Sequence, residues 1–218
     1  MSKLAFIFPG QGAQKAGMGK DFYENSEAAR SFFDQAQKIL DFDLKEMCFG
    51  EHEELNLTEY TQPCMVSVCL AIVQELKKRG INPDITAGLS LGEYAAVAAA
   101  GGMNELDAIK LVRRRGILMQ STVPTGEGAM AAVLGLDAKK IEEILESFEN
   151  VWIANYNCPG QIVITGLTNE VQQASLALKE AGAKRVVELK VSGPFHSLLL
   201  KPAGEALLKE MESMSFST

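Results

Sequence analysis

The sequence predicts an α/β protein that carries a second, smaller module built from antiparallel strands and helices. Short apolar runs at residues 4–8 and 84–87 each lead into a glycine-rich turn, as strands of a buried parallel sheet do. From about residue 126 the pattern changes to the order β-α-β-β-α-β, which is the arrangement of a ferredoxin-like module. These observations indicate two kinds of sheet in one chain.

Composition excludes several classes of protein. A chain of 218 residues that is 47% hydrophobic can bury a core, and its formal net charge of -7 argues against nucleic acid as the main partner. Four cysteines without a C-x-x-C pair, and only two histidines, make a zinc site improbable. The apolar run at the N-terminus is too short for the apolar region of a signal peptide, and no later segment has 18 uninterrupted apolar residues. We expect a cytoplasmic protein with reduced thiols and no membrane contact.

The loop at 9–14 follows the first predicted strand, Leu4 to Phe8. Its glycines match neither of two phosphate-binding patterns. G-x-G-x-x-G would need glycine at Lys15, and a P-loop ending in Lys20 would need glycine at Gln14. Two interpretations stay open. The glycines let a backbone N–H, such as that of Gln11, approach a reacting oxygen, or they form a plain tight turn.

The acidic stretch from Leu44 to Leu57 is predicted to be a loop with His52 at the surface. A helix is predicted to start near residues 61–63, with Pro63 in its first turn, and to stop at Gly80.

The segment Gly88-Leu89-Ser90-Leu91-Gly92 lies between a predicted strand and the helix-forming run 93–100. A G-x-S-x-G in this context is typical of a nucleophile elbow, in which glycines two before and two after the serine let strand and helix approach closely. The serine hydroxyl would then lie at a helix N-terminus, whose free N–H groups stabilise an oxyanion. The alternative is a turn whose serine only caps the helix.

A further helix is predicted from the N-cap Asn104 to about Thr122, and it contains three consecutive arginines. Arg113 is interpreted as part of a solvated charge cluster. Arg115 differs, because apolar residues lie three and four positions away on both sides. An arginine on an apolar face needs an anion, which is either an internal carboxylate or the carboxylate of a ligand.

The predicted elements of the smaller module are strands at 128–135, 151–156, 161–166 and 185–191 and helices at 138–148 and 168–181. We therefore predict a ferredoxin-like subdomain at 126–191, inserted into a core domain formed by 1–125 and 192–218. After it, a loop precedes a helix with Pro202 in its first turn, and this loop holds His196. If Ser90 is a nucleophile that needs an imidazole base, His196 is the candidate, whereas the alternative is a structural loop histidine.

Several motifs occur together in one order along the chain. They are F-P-G-Q-G-A-Q at 8–14, T-Q-P at 61–63, G-L-S-L-G-E-Y at 88–94, Arg115, G-A-M-A-A-V at 128–133, P-G-Q-I-V-I-T-G at 159–166 and G-P-F-H-S at 193–197. Over essentially its whole length the chain resembles the malonyl-CoA:acyl carrier protein transacylases, the acyltransferases of bacterial fatty acid synthesis.

The resemblance implies an α/β-hydrolase-like core with a ferredoxin-like insertion and a ping-pong transfer of malonyl from coenzyme A to the phosphopantetheine thiol of holo acyl carrier protein. By matched position, Ser90 resembles the nucleophile and His196 the general base. The backbone N–H groups of Gln11 and Leu91 resemble the oxyanion hole, and Arg115 resembles the residue that binds the free malonyl carboxylate. No metal or bound cofactor is implied, because coenzyme A enters as part of the substrate.

Two departures from the family pattern bear on this expectation. The family usually has histidine where Leu89 stands, which is a variable position of the elbow. The family also continues beyond the position of Thr218 with a segment that adds to the core sheet and supports the histidine, so we expect a piece of a longer chain. A serine esterase or thioesterase, and an inactive module that only binds carrier protein, stay open as alternatives.

Overall fold

The computed structural model describes residues 3–124, 126–189, 191 and 193–217. It divides into two compact units, Met1–Ile117 with Leu207–Thr218, and Leu118–Ala206. Two helices, at 105–122 and 201–211, contribute residues to both units. The boundaries predicted at 126 and 191 stay a prediction, and Ser192, where the core was expected to resume, lies outside the described residues.

The first unit is built around a two-stranded parallel sheet of β1 (Ala5–Phe8) and β2 (Ile85–Gly88). The register runs from Ala5 opposite Ile85 to Phe8 opposite Gly88, so both strands end at the same edge. Its helices are α1 (Lys20–Asn25), α2 (Glu27–Gln37), α3 (Leu44–Phe49), α4 (Thr58–Lys78), α5 (Gly92–Ala99) and α6 (Glu105–Thr122). The predicted strands and the elbow helix are thereby confirmed.

Helix α4 is buried along most of its 21 residues. It begins at Thr58, almost one turn before the predicted start, so Pro63 lies in its second turn rather than its first. The prediction was wrong because proline was taken to mark a first turn, where its missing N–H costs nothing. Although α4 is long, no helix among the described residues combines the length and apolar character that crossing a bilayer requires.

The acidic segment at 44–57 is not the predicted loop. It contains α3 and a short 3-10 helix, Glu53–Asn56. Asp43 caps α3 by accepting a hydrogen bond from the N–H of Glu46 at 3.0 Å, and Leu44 and Cys48 are buried. The loop prediction was wrong because it relied on net acidity. It overlooked Asp43 as a capping residue and the apolar residues Leu44 and Cys48, which lie four positions apart.

The second unit contains a four-stranded antiparallel sheet in the order β4-β5-β3-β6. Its elements are β3 (Gly128–Leu134), α7 (Ala138–Leu145), β4 (Val151–Cys158), β5 (Gln161–Leu167), α8 (Thr168–Glu180), β6 (Arg185–Glu188), a 3-10 helix (Leu198–Leu200) and α9 (Lys201–Met211). This confirms the ferredoxin-like β-α-β-β-α-β arrangement. Strand β6 ends at Glu188, earlier than predicted, and Lys190 lies outside the described residues.

Candidate active site

Ser90 lies in the turn between β2 and α5 with a left-handed backbone, φ 50°. A Cβ atom at Gly88 would overlap the backbone of Gly92, and one at Gly92 would overlap the carbonyl oxygen of Phe8. The strand, the turn and the helix therefore approach more closely than any other residue at these positions would allow. This is the geometry of a nucleophile elbow, in which a strained turn holds the serine at the carboxyl end of a strand.

Two backbone N–H groups adjoin this turn. That of Leu91 lies at the N-cap of α5, and that of Gln11 lies in the loop after β1. Neither donates a hydrogen bond to an acceptor among the residues that the structure describes. The loop rests on the elbow, because a Cβ at Gly10 would come within 2.9 Å of the carbonyl oxygen of Leu89. The side chain of Gln11 donates to Thr58 Oγ1 at 3.1 Å, which fixes the loop from its other side.

Arg115 points from α6 to the elbow, where its Nη2 donates to Ser90 Oγ at 3.2 Å. The guanidinium lies over the ring of Tyr94, with 5.5 Å between Cζ and the ring centroid. Burial lowers the pKa of Arg115, and the nearby Tyr94 and Glu93 oppose that change. The group keeps its proton, since guanidinium does not deprotonate in proteins, so a positive charge adjoins the serine hydroxyl.

The first of the three consecutive arginines is not solvated, contrary to the prediction. The side chain of Arg113 is only 12% exposed and pairs with Asp41 and Glu59. Arg114 is the exposed one, at 49%, and it pairs with Glu210. The prediction failed because both partners of Arg113 are distant in sequence, 72 and 54 residues away.

Arg115 differs from the other two arginines of the run. No carboxylate of a described residue lies within ion-pair distance of its guanidinium, whereas Arg113 and Arg114 each have one or more. A partly buried cation whose contacts are a hydroxyl and an aromatic face keeps the capacity to bind an anion.

His196 belongs to the second unit, where it also has a left-handed backbone, φ 61°. A Cβ at Gly128 would overlap the ring of Pro194, so the loop packs on the start of β3. Phe195 is buried in an apolar cluster, and Ser197 Oγ donates to the carbonyl oxygen of Pro194 at 2.6 Å. The imidazole itself is exposed.

The other histidine has a structural environment. His52 Nε2 lies 3.0 Å from Glu46 Oε1, beside the end of α3. In the described parts of the chain, no group of three or more His, Cys, Asp or Glu side chains is arranged to hold a metal ion.

Sequence reasoning missed Tyr94 as a neighbour of Arg115. Its position four residues after Ser90, in the first turn of α5, was a signal that could have found it, since that turn borders the elbow.

An elbow serine, two N–H groups beside it and a cation at its hydroxyl are the parts of an acyl-transfer site. The family model described as acyl transferase domain matches residues 5–218, which is nearly the whole chain. The chain thus belongs to the acyl transferase domain family.

The chain is 49% identical to a malonyl CoA-acyl carrier protein transacylase of Bacillus subtilis over 218 residues, which are 98% of this chain and 69% of that protein. A crystal structure of such a transacylase from Clostridium perfringens matches with a TM-score of 0.94 and 42% identity over 100% of this chain and 70% of that one. A malonyl-transacylase in complex with its type II PKS acyl-carrier protein matches with a TM-score of 0.95 and 40% identity, covering 99% and 72% of the two chains.

This chain therefore belongs to the malonyl CoA-acyl carrier protein transacylase family. It spans 66% to 69% of the length of two curated relatives.

Proposed function

We propose that this chain transfers a malonyl group from malonyl-CoA to the phosphopantetheine thiol of acyl carrier protein, in fatty acid biosynthesis. The transfer proceeds through a malonyl ester on Ser90, and no metal or bound cofactor takes part. Membership of the transacylase family and the surroundings of Ser90 support this proposal.

In the first half-reaction, Ser90 Oγ attacks the thioester carbon while His196 accepts the hydroxyl proton. The carbonyl oxygen becomes an oxyanion that accepts hydrogen bonds from the backbone N–H groups of Gln11 and Leu91. Loss of one such donor typically raises the barrier by about 3 kcal/mol. The C–S bond then breaks, and coenzyme A leaves as a thiol with the proton from His196.

In the second half-reaction, the thiol of acyl carrier protein gives its proton to His196 and attacks the malonyl ester. The C–O bond to Ser90 breaks, and His196 returns the proton to the serine oxygen. The enzyme is regenerated and one thioester is exchanged for another, so no other reactant is needed.

The observation that carries the choice of malonyl is Arg115, a partly buried cation bonded to Ser90 Oγ at 3.2 Å. A guanidinium binds a carboxylate with two parallel hydrogen bonds, and malonyl presents a free carboxylate whereas acetyl does not.

Intact-mass measurement after mixing with malonyl-CoA tests the covalent step. We expect the protein to gain one malonyl group, and Ser90→Ala protein to gain none. Adduct on the Ser90→Ala variant would contradict the proposal.

Selectivity tests the role of Arg115. Arg115→Ala should lower kcat/KM for malonyl-CoA by about 100-fold and leave acetyl-CoA little changed or faster, since charge-assisted hydrogen bonds contribute about 1.5–3 kcal/mol. Arg115→Lys should recover only part, because an ammonium lacks the planar fork. Equal losses for both thioesters would mean that Arg115 serves the fold.

The fate of radiolabelled malonyl separates the alternatives. Label on acyl carrier protein supports the transferase, whereas label released as free malonate would indicate a serine esterase or thioesterase. Binding of carrier protein without any adduct on Ser90 would indicate a module that only binds.

We further propose a cytoplasmic location. The four cysteines, Cys48, Cys64, Cys69 and Cys158, are free thiols, which suits a reducing compartment.

A further inference from the structure

The side chain of Arg113 is held on all sides within the first unit. Its Nε and Nη2 donate to the two carboxylate oxygens of Asp41 at 2.9 and 3.0 Å. Its Nη1 donates to the carbonyl oxygen of Glu59 at 2.7 Å and to the carboxylate of Glu59 at 3.1 Å. The rings of Phe42 and Tyr60 lie 5.2 and 4.9 Å from its Cζ. Such a fork between two rings has little freedom to move.

The carbonyl of Glu59 is available to Arg113 for a reason found in the sequence. In an α-helix this carbonyl would accept from the N–H four residues later, and that residue is Pro63, which has no N–H. The proline ring also pushes away the carbonyl four residues earlier. The proline of the T-Q-P motif thus leaves an acceptor at the start of α4, and a guanidinium from α6 takes it.

The same turn of α4 is the surface on which α6 lies. A Cβ at Gly116 would come within 2.7 Å of both Glu59 Cα and the carbonyl oxygen of Thr58, so the two backbones are in direct contact. Arg115 immediately precedes this contact point, and its Nη2 lies 3.2 Å from Ser90 Oγ. A shift of α6 along α4 would therefore displace the guanidinium from the serine.

The first turn of α4 also holds the opposite side of the site. Thr58 is fully buried, and its Oγ1 accepts the hydrogen bond from the side chain of Gln11. One helical turn thus touches both the loop that carries an oxyanion donor and the helix that carries the substrate-binding cation.

We propose that Arg113 is a positioning residue: by binding the carbonyl that Pro63 leaves without a helical donor, it locks α6 on α4 and holds Arg115 at Ser90. The inference rests on the proposed function, in which Arg115 binds the malonyl carboxylate. Arg113 does not touch the substrate, so it acts on selectivity through Arg115.

The test compares kcat/KM for malonyl-CoA and acetyl-CoA in the Arg113→Met and Arg114→Met variants of the full chain. Methionine keeps the apolar stem between the rings but removes the fork. Because a misplacement of about 1 Å costs about 100-fold, we expect Arg113→Met to lower the malonyl to acetyl ratio by about 10- to 100-fold. Arg114→Met removes an equal charge from the next residue, and its exposed pair with Glu210 contributes little, so the ratio should stay within about twofold.

Arg113→Lys should restore part of the ratio, because an ammonium reaches one acceptor of the fork. Asp41→Asn provides a second variant. It removes one of the charges paired with Arg113 without changing a buried side chain, since the Asp41 side chain is 67% exposed. We expect it to lower the ratio in the same direction by about three- to tenfold. Thermal unfolding of each variant distinguishes a displaced helix from an unfolded chain.

An unchanged ratio in both Arg113→Met and Asp41→Asn, with a lower melting temperature, would overturn the inference and leave Arg113 with a purely structural role. Arg115→Ala in the same assay separates this from failure of the proposed function. If Arg115→Ala loses malonyl selectively and Arg113→Met does not, only the positioning role fails. If Arg115→Ala lowers both thioesters equally, the carboxylate-binding role itself fails.

Discussion

Two loops of this chain hold their central residue in the left-handed backbone region, and they do so by different means. Among the described residues, Ser90 and His196 are the only non-glycine residues with positive φ, at 50° and 61°. Such a backbone costs about 1–3 kcal/mol unless its surroundings impose it. Both residues are proposed for catalysis, which agrees with the tendency of strain to collect at functional sites.

The elbow around Ser90 is imposed by backbone. Gly88 and Gly92 bring main-chain atoms into contact, and the N–H of Leu89 donates to the carbonyl oxygen of Phe8 at 3.1 Å. In the histidine loop side chains contribute more, through buried Phe195 and the packing of Pro194, beside one backbone hydrogen bond from the N–H of Phe195 to the carbonyl oxygen of Gly193 at 3.0 Å. We therefore expect the serine turn to tolerate no added side-chain atom at Gly88 or Gly92, whereas side-chain changes should loosen the histidine loop gradually.

The largest expected effect comes from removing the two side chains. Ser90→Ala should abolish the acyl adduct, because it removes the hydroxyl that the elbow presents beside the proposed oxyanion donors. His196→Ala should slow adduct formation by about 100- to 10,000-fold, since a positioned general base typically contributes that much. Acylation quenched at successive times and analysed by intact mass measures both the amount of adduct and its rate of formation. Acylation of His196→Ala at the wild-type rate would remove the histidine from the mechanism.

A second pair of variants separates backbone from side-chain control. Gly88→Ala should destabilise the chain by about 3 kcal/mol or more, because its Cβ would overlap main-chain atoms that cannot rotate away. Gly193→Ala, in the histidine loop, should change stability by less than about 0.5 kcal/mol, since among the residues that the structure describes its Cβ would meet Phe195 at an ordinary 3.5 Å and no other side chain or backbone within 4 Å. Urea unfolding gives both values. Similar costs at the two positions would show that the loops are held alike.

This contrast also explains what the sequence could predict. The elbow was predictable because glycine spacing on either side of Ser90 records backbone contacts directly. His196 became a candidate through the need for an imidazole and through the resemblance of G-P-F-H-S at 193–197, because packing of a loop by Phe195 leaves no local pattern. The ferredoxin-like module was predictable since each of its elements has its own period.

The support of Arg115 was not predictable from helix spacing. The partners of Arg113 come from positions 41 and 59, and only the fold brings them to α6. In hindsight, Pro63 inside a helical pattern was a usable signal, because it predicts a carbonyl at Glu59 in need of a donor. Sequence reasoning placed that proline at the helix start and so lost the signal.

A smaller effect measures the strain itself. Ser90→Ala and Ser90→Gly both remove the hydroxyl, so the difference in their free energies of unfolding isolates the left-handed backbone. Glycine should be more stable than alanine by about 1 kcal/mol at position 90. At position 196 the same comparison should give a smaller difference, because a loop held by side chains can relax. A larger difference at 196 than at 90 would reverse the comparison of the two loops.

The smallest effect concerns one carboxylate in each unit and its dependence on pH. Hydrogen bonds from Arg113 lower the pKa of Asp41, and the side-chain and backbone N–H groups of Asn150 lower the pKa of Glu170. A carboxyl whose pKa falls on folding contributes stability above its ordinary pKa, and that contribution disappears as the pH drops through the folded value. Asp41→Asn and Glu170→Gln should therefore destabilise the chain at pH 7 and have progressively less effect below about pH 4.

The two stabilising contributions should respond differently to salt, because Asp41 faces a cation whereas Glu170 accepts from neutral amides at 2.8 and 2.9 Å. Urea unfolding at both pH values, with and without about 1 M NaCl, should find only the Asp41 contribution reduced by salt. Equal salt dependence at both sites would mean that the Arg113 pair is too screened by solvent to act as a charge contact.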